Sequence, residues 1–172
     1  MKPFRVQLDQ ATAIAERVKA QLAPHCDRIA IAGSIRRRKA DVGDIEIVAI
    51  PKPYQVDLFA SGIALVVNKW EKVRGELPCK YTQRILPEGI KLDLFFATPE
   101  NFGLIYAIRT GSADYSHRIL ACGWVRNGYK SADGMLSRDG VAVPVREERD
   151  LFRLAGVPWV EPAARSLSIP ND

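Results

Sequence analysis

The 172-residue sequence predicts an α+β fold: a mixed sheet backed by helices, followed by a small α/β C-terminal part. Three observations predict it. Asp44–Ile50 and Lys91–Phe96 open with charged and apolar residues in alternation, the period of two that marks half-buried strands. Val6–Leu22 instead spaces Leu8, Ala11, Ala15, Val18 and Leu22 by threes and fours, as an amphipathic helix does. Thr98-Pro99 reads as an N-cap followed by a first-turn proline, which divides the chain into 1–98 and 99–172.

In chain order, the Val6–Leu22 helix backs the sheet. Ile29–Ala32 is β-branched and small, a strand that Gly33-Ser34 interrupts, and the basic run Arg36-Arg37-Arg38-Lys39 that follows has helical potential. Asp44–Ile50 is a second strand, with Asp44 and Glu46 on one face and Ile45, Ile47 and Ala49 on the other. Ser61–Val73 carries Ile63, Val66, Val67 and Trp70 at helical spacing and is expected to be a helix, followed by a loop around Gly75–Pro78. Tyr81–Leu86 and the strand around Asp93 make a hairpin through Pro87-Glu88-Gly89. Beyond Pro99 come a helix to about Arg109, a second from Ser112 to about Asn127, and a hairpin over Gly134–Val145 that turns at Asp139-Gly140.

The chemistry-bearing residues concentrate at the ends of these strands. Gly33-Ser34 beside a basic segment exposes backbone N–H groups and guanidinium charge, a cradle for phosphates. Asp44 and Glu46 point the same way beside it. Asp93 adds a third carboxylate on a strand whose Leu92, Leu94 and Phe96 face the opposite side. Hard oxygen ligands at this density suit Mg²⁺ or Mn²⁺, and two such ions side by side activate an attacking hydroxyl and steady a leaving oxygen.

Gly33-Ser34-Ile35-Arg36-Arg37, Gly43-Asp44-Ile45-Glu46, the Asp93 strand, Thr110-Gly111-Ser112 and the tail Arg146–Pro162 occur in the order found in the X-family DNA polymerases. The chain resembles that family, the DNA polymerase beta-like branch of the nucleotidyltransferases, from roughly Ala30 to its C-terminus. The resemblance implies a nucleotidyltransferase palm followed by a thumb-like domain. It implies that Asp44 and Glu46 bridge two metal ions and that Asp93 binds the one at the primer 3′-hydroxyl. It further implies that the Gly33-Ser34 turn, Arg37 and Gly43 face the triphosphate, that Lys91 lies near the primer terminus, and that Thr110, Gly111 and Ser112 line the nucleotide sugar. The chain departs from the family pattern at Glu46, where an aspartate is usual. It departs again at Ile108-Arg109, where an aromatic pair is usual, and at Ser116 and Leu120.

The activity so implied is addition of deoxynucleotides to a DNA 3′-end with release of pyrophosphate, filling short gaps in repair. The residues before Gly33 are too few for a lyase domain, so a minimal palm-plus-thumb enzyme is expected. Two other readings stay open: the same chemistry on RNA, a small molecule or a protein hydroxyl, and a non-catalytic nucleic-acid-binding module.

Composition fits a polyanionic partner. Lys and Arg number 25 against 20 Asp and Glu, a net charge of +5, and several of those acids cluster at one site. With 47% hydrophobic residues the chain can bury one good core and a second small one. Cys26, Cys79 and Cys122 have neither disulfide nor zinc spacing, and two histidines, His25 and His117, are too few for a histidine-based metal centre. No apolar run approaches a membrane span, and a monomer in a reducing, cytoplasmic compartment is expected.

Overall fold

A computed structural model describes residues 4–53 and 62–167. It is mixed α and β and divides into two compact units, Met1–Ala97 and Thr98–Asp172.

The first unit is built on a five-stranded mixed sheet. Val6–Gln7 forms a short strand, β1, before helix α1 (Leu8–Leu22) and a single 3₁₀ turn, Ala23–His25. The expected helix therefore starts two residues late. Val6 and Gln7 pair instead with strand β3 (Asp41–Val42), and the Gln7 amide donates to Asp41 Oδ1 at 2.9 Å. Between them lie β2 (Cys26–Ile31) and the one-turn helix α2 (Gly33–Arg36). Then come β4 (Asp44–Pro51), α3 (Ile63–Val67), β5 (Glu71–Arg74), β6 (Tyr81–Ile85) and β7 (Lys91–Phe96). The strand order is β2-β4-β7-β6-β5, antiparallel throughout except for the central parallel pair β4 and β7.

Sequence pattern explains the layering. Ala11, Ile14, Ala15, Val18 and Leu22 of α1 are buried against Ile45, Ile47 and Ala49 of β4 and Leu92 and Leu94 of β7. Polar residues at the head of β4 and β7 are thereby left on the other face. Two expected helices change. The helix does not run through the basic segment: α2 starts at Gly33 and ends at Arg36, with Arg37 as its C-cap, and Arg38 takes a left-handed φ of 58°. The expected helix over 61–73 begins outside the described residues at Ser61. It reduces to α3, and Glu71–Arg74 is an exposed edge strand paired with β6. Its Glu71, Lys72 and Arg74 put charge on an edge that would otherwise recruit other strands.

The second unit packs helices on a three-stranded antiparallel sheet. Helix α4 runs Phe102–Thr110. Thr98-Pro99 does not start it, because the Asn101 side chain turns back to accept from the Thr98 N–H at 2.7 Å and the helix begins after it. The expected second helix is a continuous run of three pieces: α5 (Ala113–Tyr115), a π-helical stretch Ser116–Ala121, and α6 (Cys122–Arg126). Strands β8 (Lys130–Ala132), β9 (Met135–Arg138) and β10 (Val141–Val143) follow. They turn at Asp133-Gly134 and Asp139-Gly140, where all four residues have positive φ, as a two-residue hairpin turn requires. Only the second of these Asp-Gly turns is anticipated above.

Helix α7 (Glu148–Ala155) opens with Asp150 accepting from the Glu147 N–H at 3.2 Å and ends at left-handed Gly156. Leu104, Ala107, Leu120, Trp124, Leu136, Leu151 and Phe152 form this unit's core. A 3₁₀ turn, Pro162–Ala164, follows, and after it Arg165 is fully buried.

Candidate active site

The site grows from the register of β4 and β7. Parallel pairing sets Asp44 opposite Lys91 and Glu46 opposite Asp93. Neighbouring strands lie about 4.8 Å apart and side chains two residues apart share a face, so Asp44, Glu46 and Asp93 stand on one side of the sheet. Burial agrees: all three are partly exposed, whereas Ile45, Leu92 and Leu94 between them are sealed.

The β2 ladder brings the phosphate-type turn to the same place. Ile31 pairs with Ile47, and the Ala32 N–H donates to the Glu46 carbonyl at 2.8 Å, so residue 33 falls directly against Glu46. Gly33 has a φ of 63°, and a β-carbon there would overlap the Glu46 carboxylate oxygen Oε2 and lie 2.8 Å from its Cδ. Glycine is needed twice over, for the left-handed backbone and for the space. On the next residue, Ser34 Oγ is buried and has no hydrogen-bond partner among the described residues.

Electrostatics tie the carboxylates and cations together. Burial raises the Asp44 carboxyl above its ordinary value, and the Asp93 charge raises it further, while Arg37, Arg5 and Lys91 act to lower it. Burial pulls the Arg37 guanidinium down, and Glu46 and Asp44 oppose that. Arg37 thus shares the field of the carboxylates. Arg5 is a second such cation, and no motif announces it. Its guanidinium lies 3.9 Å from where a β-carbon on Gly43 would stand, an ordinary contact distance that places Arg5 beside the head of β4.

Asp93 has two partners across the hairpin. Once the Pro87–Gly89 turn sets the register, Gln83 lies opposite Asp93 and Tyr81 opposite Phe95. The Tyr81 hydroxyl and the Gln83 amide both donate to Asp93 Oδ1, at 2.8 and 2.7 Å. Lys91, exposed, sits at the head of the same strand.

Three expected residues belong to the second unit. Thr110, fully buried, ends α4, and Gly111 carries the turn out of it. Ser112 caps α5 by accepting from the Tyr115 N–H at 3.2 Å, while its own N–H donates to the Arg165 carbonyl at 2.9 Å. A β-carbon on Gly111 would come within 2.6 Å of Ser116 Oγ. These contacts give Thr-Gly-Ser a helix-joining role within its own unit.

The donor set suits a hard divalent cation: carboxylate oxygens on one face, flanking cations, and a buried hydroxyl without a partner among the described residues. Among the described residues no group of three or more His, Cys, Asp or Glu side chains, Asp44, Glu46 and Asp93 included, is drawn together closely enough to hold a metal ion by itself. Mg²⁺ does not need such a group, because it keeps waters and shares substrate phosphates with one or two carboxylates. A separate cavity of about 900 Å³, bordered by Pro24, Asp27, Pro51, Lys52, Leu77 and Phe96, lies at the opposite end of the strands, away from the carboxylates. Cys26, Cys79 and Cys122 are free thiols. Among the described residues no helix is long and apolar enough to cross a membrane. In comparisons with known proteins, the chain matches no family model and no curated protein.

Proposed function

We propose that the chain is a metal-dependent nucleotidyltransferase that extends DNA 3′-ends in the manner of the X-family polymerases. In this reading Met1–Ala97 is the palm and Thr98–Asp172 the thumb-like unit. The observation that carries it is the convergence of the Gly33-Ser34 turn on Glu46, in a row with Asp44 and Asp93.

Asp44, Glu46 and Asp93 would hold two Mg²⁺ or Mn²⁺ ions, which supply charge to the attacking hydroxyl and to the departing pyrophosphate. The protein's own groups do the rest. Ser34 Oγ, without a partner among the described residues, donates to a phosphate oxygen, and Arg37 lends it positive charge from a half-buried position where that charge is weakly screened. Asp93 faces the acceptor hydroxyl and draws its proton away as the oxygen attacks the α-phosphorus. Lys91 and Arg5, at the margin, attract the polyanionic substrates.

The test is extension of a labelled primer across a one-nucleotide DNA gap, with Mg²⁺ or Mn²⁺ and each deoxynucleotide alone. Wild type is expected to add the complementary nucleotide, and Asp93→Ala to lose well over tenfold in rate, which is more than about 1.4 kcal/mol. A smaller loss, or transfer only to RNA or a small-molecule hydroxyl, would sink the assignment.

A further inference from the structure

The two oxygens of Asp93 are treated differently. Each carboxylate oxygen offers two lone-pair directions. The Tyr81 hydroxyl at 2.8 Å and the Gln83 amide at 2.7 Å both end on Oδ1 and fill them. Oδ2 receives no such donor from either.

The donors are held firmly. Tyr81 stacks on Phe95 with ring centroids 4.9 Å apart, and the Arg74 guanidinium lies 5.7 Å from the centre of its ring. Gln83 is buried at 6% exposure. Its amide nitrogen must face the carboxylate, since the amide oxygen turned that way would meet a like charge. Both residues sit on the interior strand β6, where pairing with β7 fixes their reach.

We infer that Tyr81 and Gln83 are positioning residues that block Oδ1 and present Oδ2 as the single oxygen through which Asp93 meets a divalent cation. The inference rests on the metal-dependent reading above and adds a selectivity to it. Mg²⁺ demands octahedral geometry and takes carboxylates one oxygen at a time, whereas Ca²⁺ readily takes both oxygens of one carboxylate. A clamp on Oδ1 therefore favours Mg²⁺ and disfavours Ca²⁺. Residues that orient ligands in this way change metal affinity when removed even though they touch no metal.

The experiment is calorimetric titration of Mg²⁺ and of Ca²⁺ into the full chain, with gapped DNA ending in a dideoxy primer and a non-hydrolysable deoxynucleotide analogue. Four proteins are compared: wild type, Tyr81→Phe, Tyr81→Phe/Gln83→Met and Asp93→Asn. The double variant is expected to lower the Ca²⁺ to Mg²⁺ ratio of dissociation constants by about tenfold, and Tyr81→Phe by part of that. An unchanged ratio in both variants, with Asp93→Asn weakening both metals, would overturn the clamp and leave the metal reading standing. If Asp93→Asn binds both metals as wild type does, the metal reading itself falls. Phenylalanine keeps the stack on Phe95, so Tyr81→Phe carries the test alone should the double variant not fold.

Discussion

Gly33 and Glu46 occupy interlocking space: the position of a β-carbon on residue 33 falls on the Glu46 carboxylate. Gly33 opens α2 and Glu46 lies on β4, and the hydrogen bond from the Ala32 N–H to the Glu46 carbonyl holds them there. Gly33→Ala would have to push Glu46 aside and adopt a left-handed backbone, which alone costs about 1–2 kcal/mol. We expect that variant to unfold at lower denaturant by at least this amount and to lose about a hundredfold or more in primer extension, since misplacing a catalytic group by about 1 Å has such an effect. Circular dichroism melts beside rate measurements would separate the two losses.

The same interlock bears on the extra methylene of Glu46. Its long side chain carries the carboxylate up beside the turn, and aspartate would retract the oxygens by about 1.5 Å, one bond length. Glu46→Asp is therefore expected to slow the reaction by tenfold or more in Mg²⁺, even though aspartate is the usual residue in the polymerases the chain resembles. A rate equal to or above wild type would mean that the backbone adjusts and that the methylene is incidental.

Asp44 trades stability for charge. Burial and the Asp93 charge together outweigh Arg37, Arg5 and Lys91, so its folded carboxyl titrates above its ordinary value of 3.8. A group raised in this way favours the fold while protonated, and that favour is lost as pH rises from the unfolded value through the folded one. At neutral pH the ionised Asp44 thus costs stability. Asp44→Asn is expected to raise the melting temperature at pH 7, to bring no gain near pH 3, and to abolish transfer. A lower melting temperature at pH 7 would show that its attraction to Arg37 and Arg5 dominates instead.

Local pattern made the row of carboxylates legible, because alternation on β4 and β7 fixes which side chains share a face. What it did not reveal are contacts set by partners distant in sequence. Glu71–Arg74 continues a helical spacing, yet pairing with β6 makes it a strand, and Val6-Gln7 likewise leaves α1 to join Asp41-Val42. Tyr81 and Gln83 become visible only after the hairpin register is counted out to Asp93. Arg5 lies outside every motif and enters through its approach to Gly43. The Asp133-Gly134 turn, by contrast, carries an ordinary hairpin signal, masked by the short, polar strand Lys130–Ala132 before it.

Burial of a charge is the least legible property of all, and Arg165 shows why. Nothing near it in sequence distinguishes it from the exposed arginines, yet it is fully buried. Its Nη1 donates to Glu148 Oε1 at 2.6 Å and its Nε to the Val160 carbonyl at 2.8 Å. The guanidinium also lies over Phe152 and Trp159, 4.8 and 4.5 Å from the centres of rings that pack against each other. Removing it takes a buried cationic partner from the Glu148 carboxylate, which is 7% exposed. Breaking such a pair from one side costs about 3–5 kcal/mol, while replacing both partners by apolar groups of similar size is close to neutral. Arg165→Met is therefore expected to destabilise the second unit by that amount, and Arg165→Met/Glu148→Leu to recover most of it in urea denaturation. Because the Arg165 carbonyl also receives the Ser112 N–H, loosening the tail should free the start of α5. Faster amide exchange at Ser112 in the single variant, reversed in the double, would trace that connection; exchange that stays at the wild-type rate would refute it.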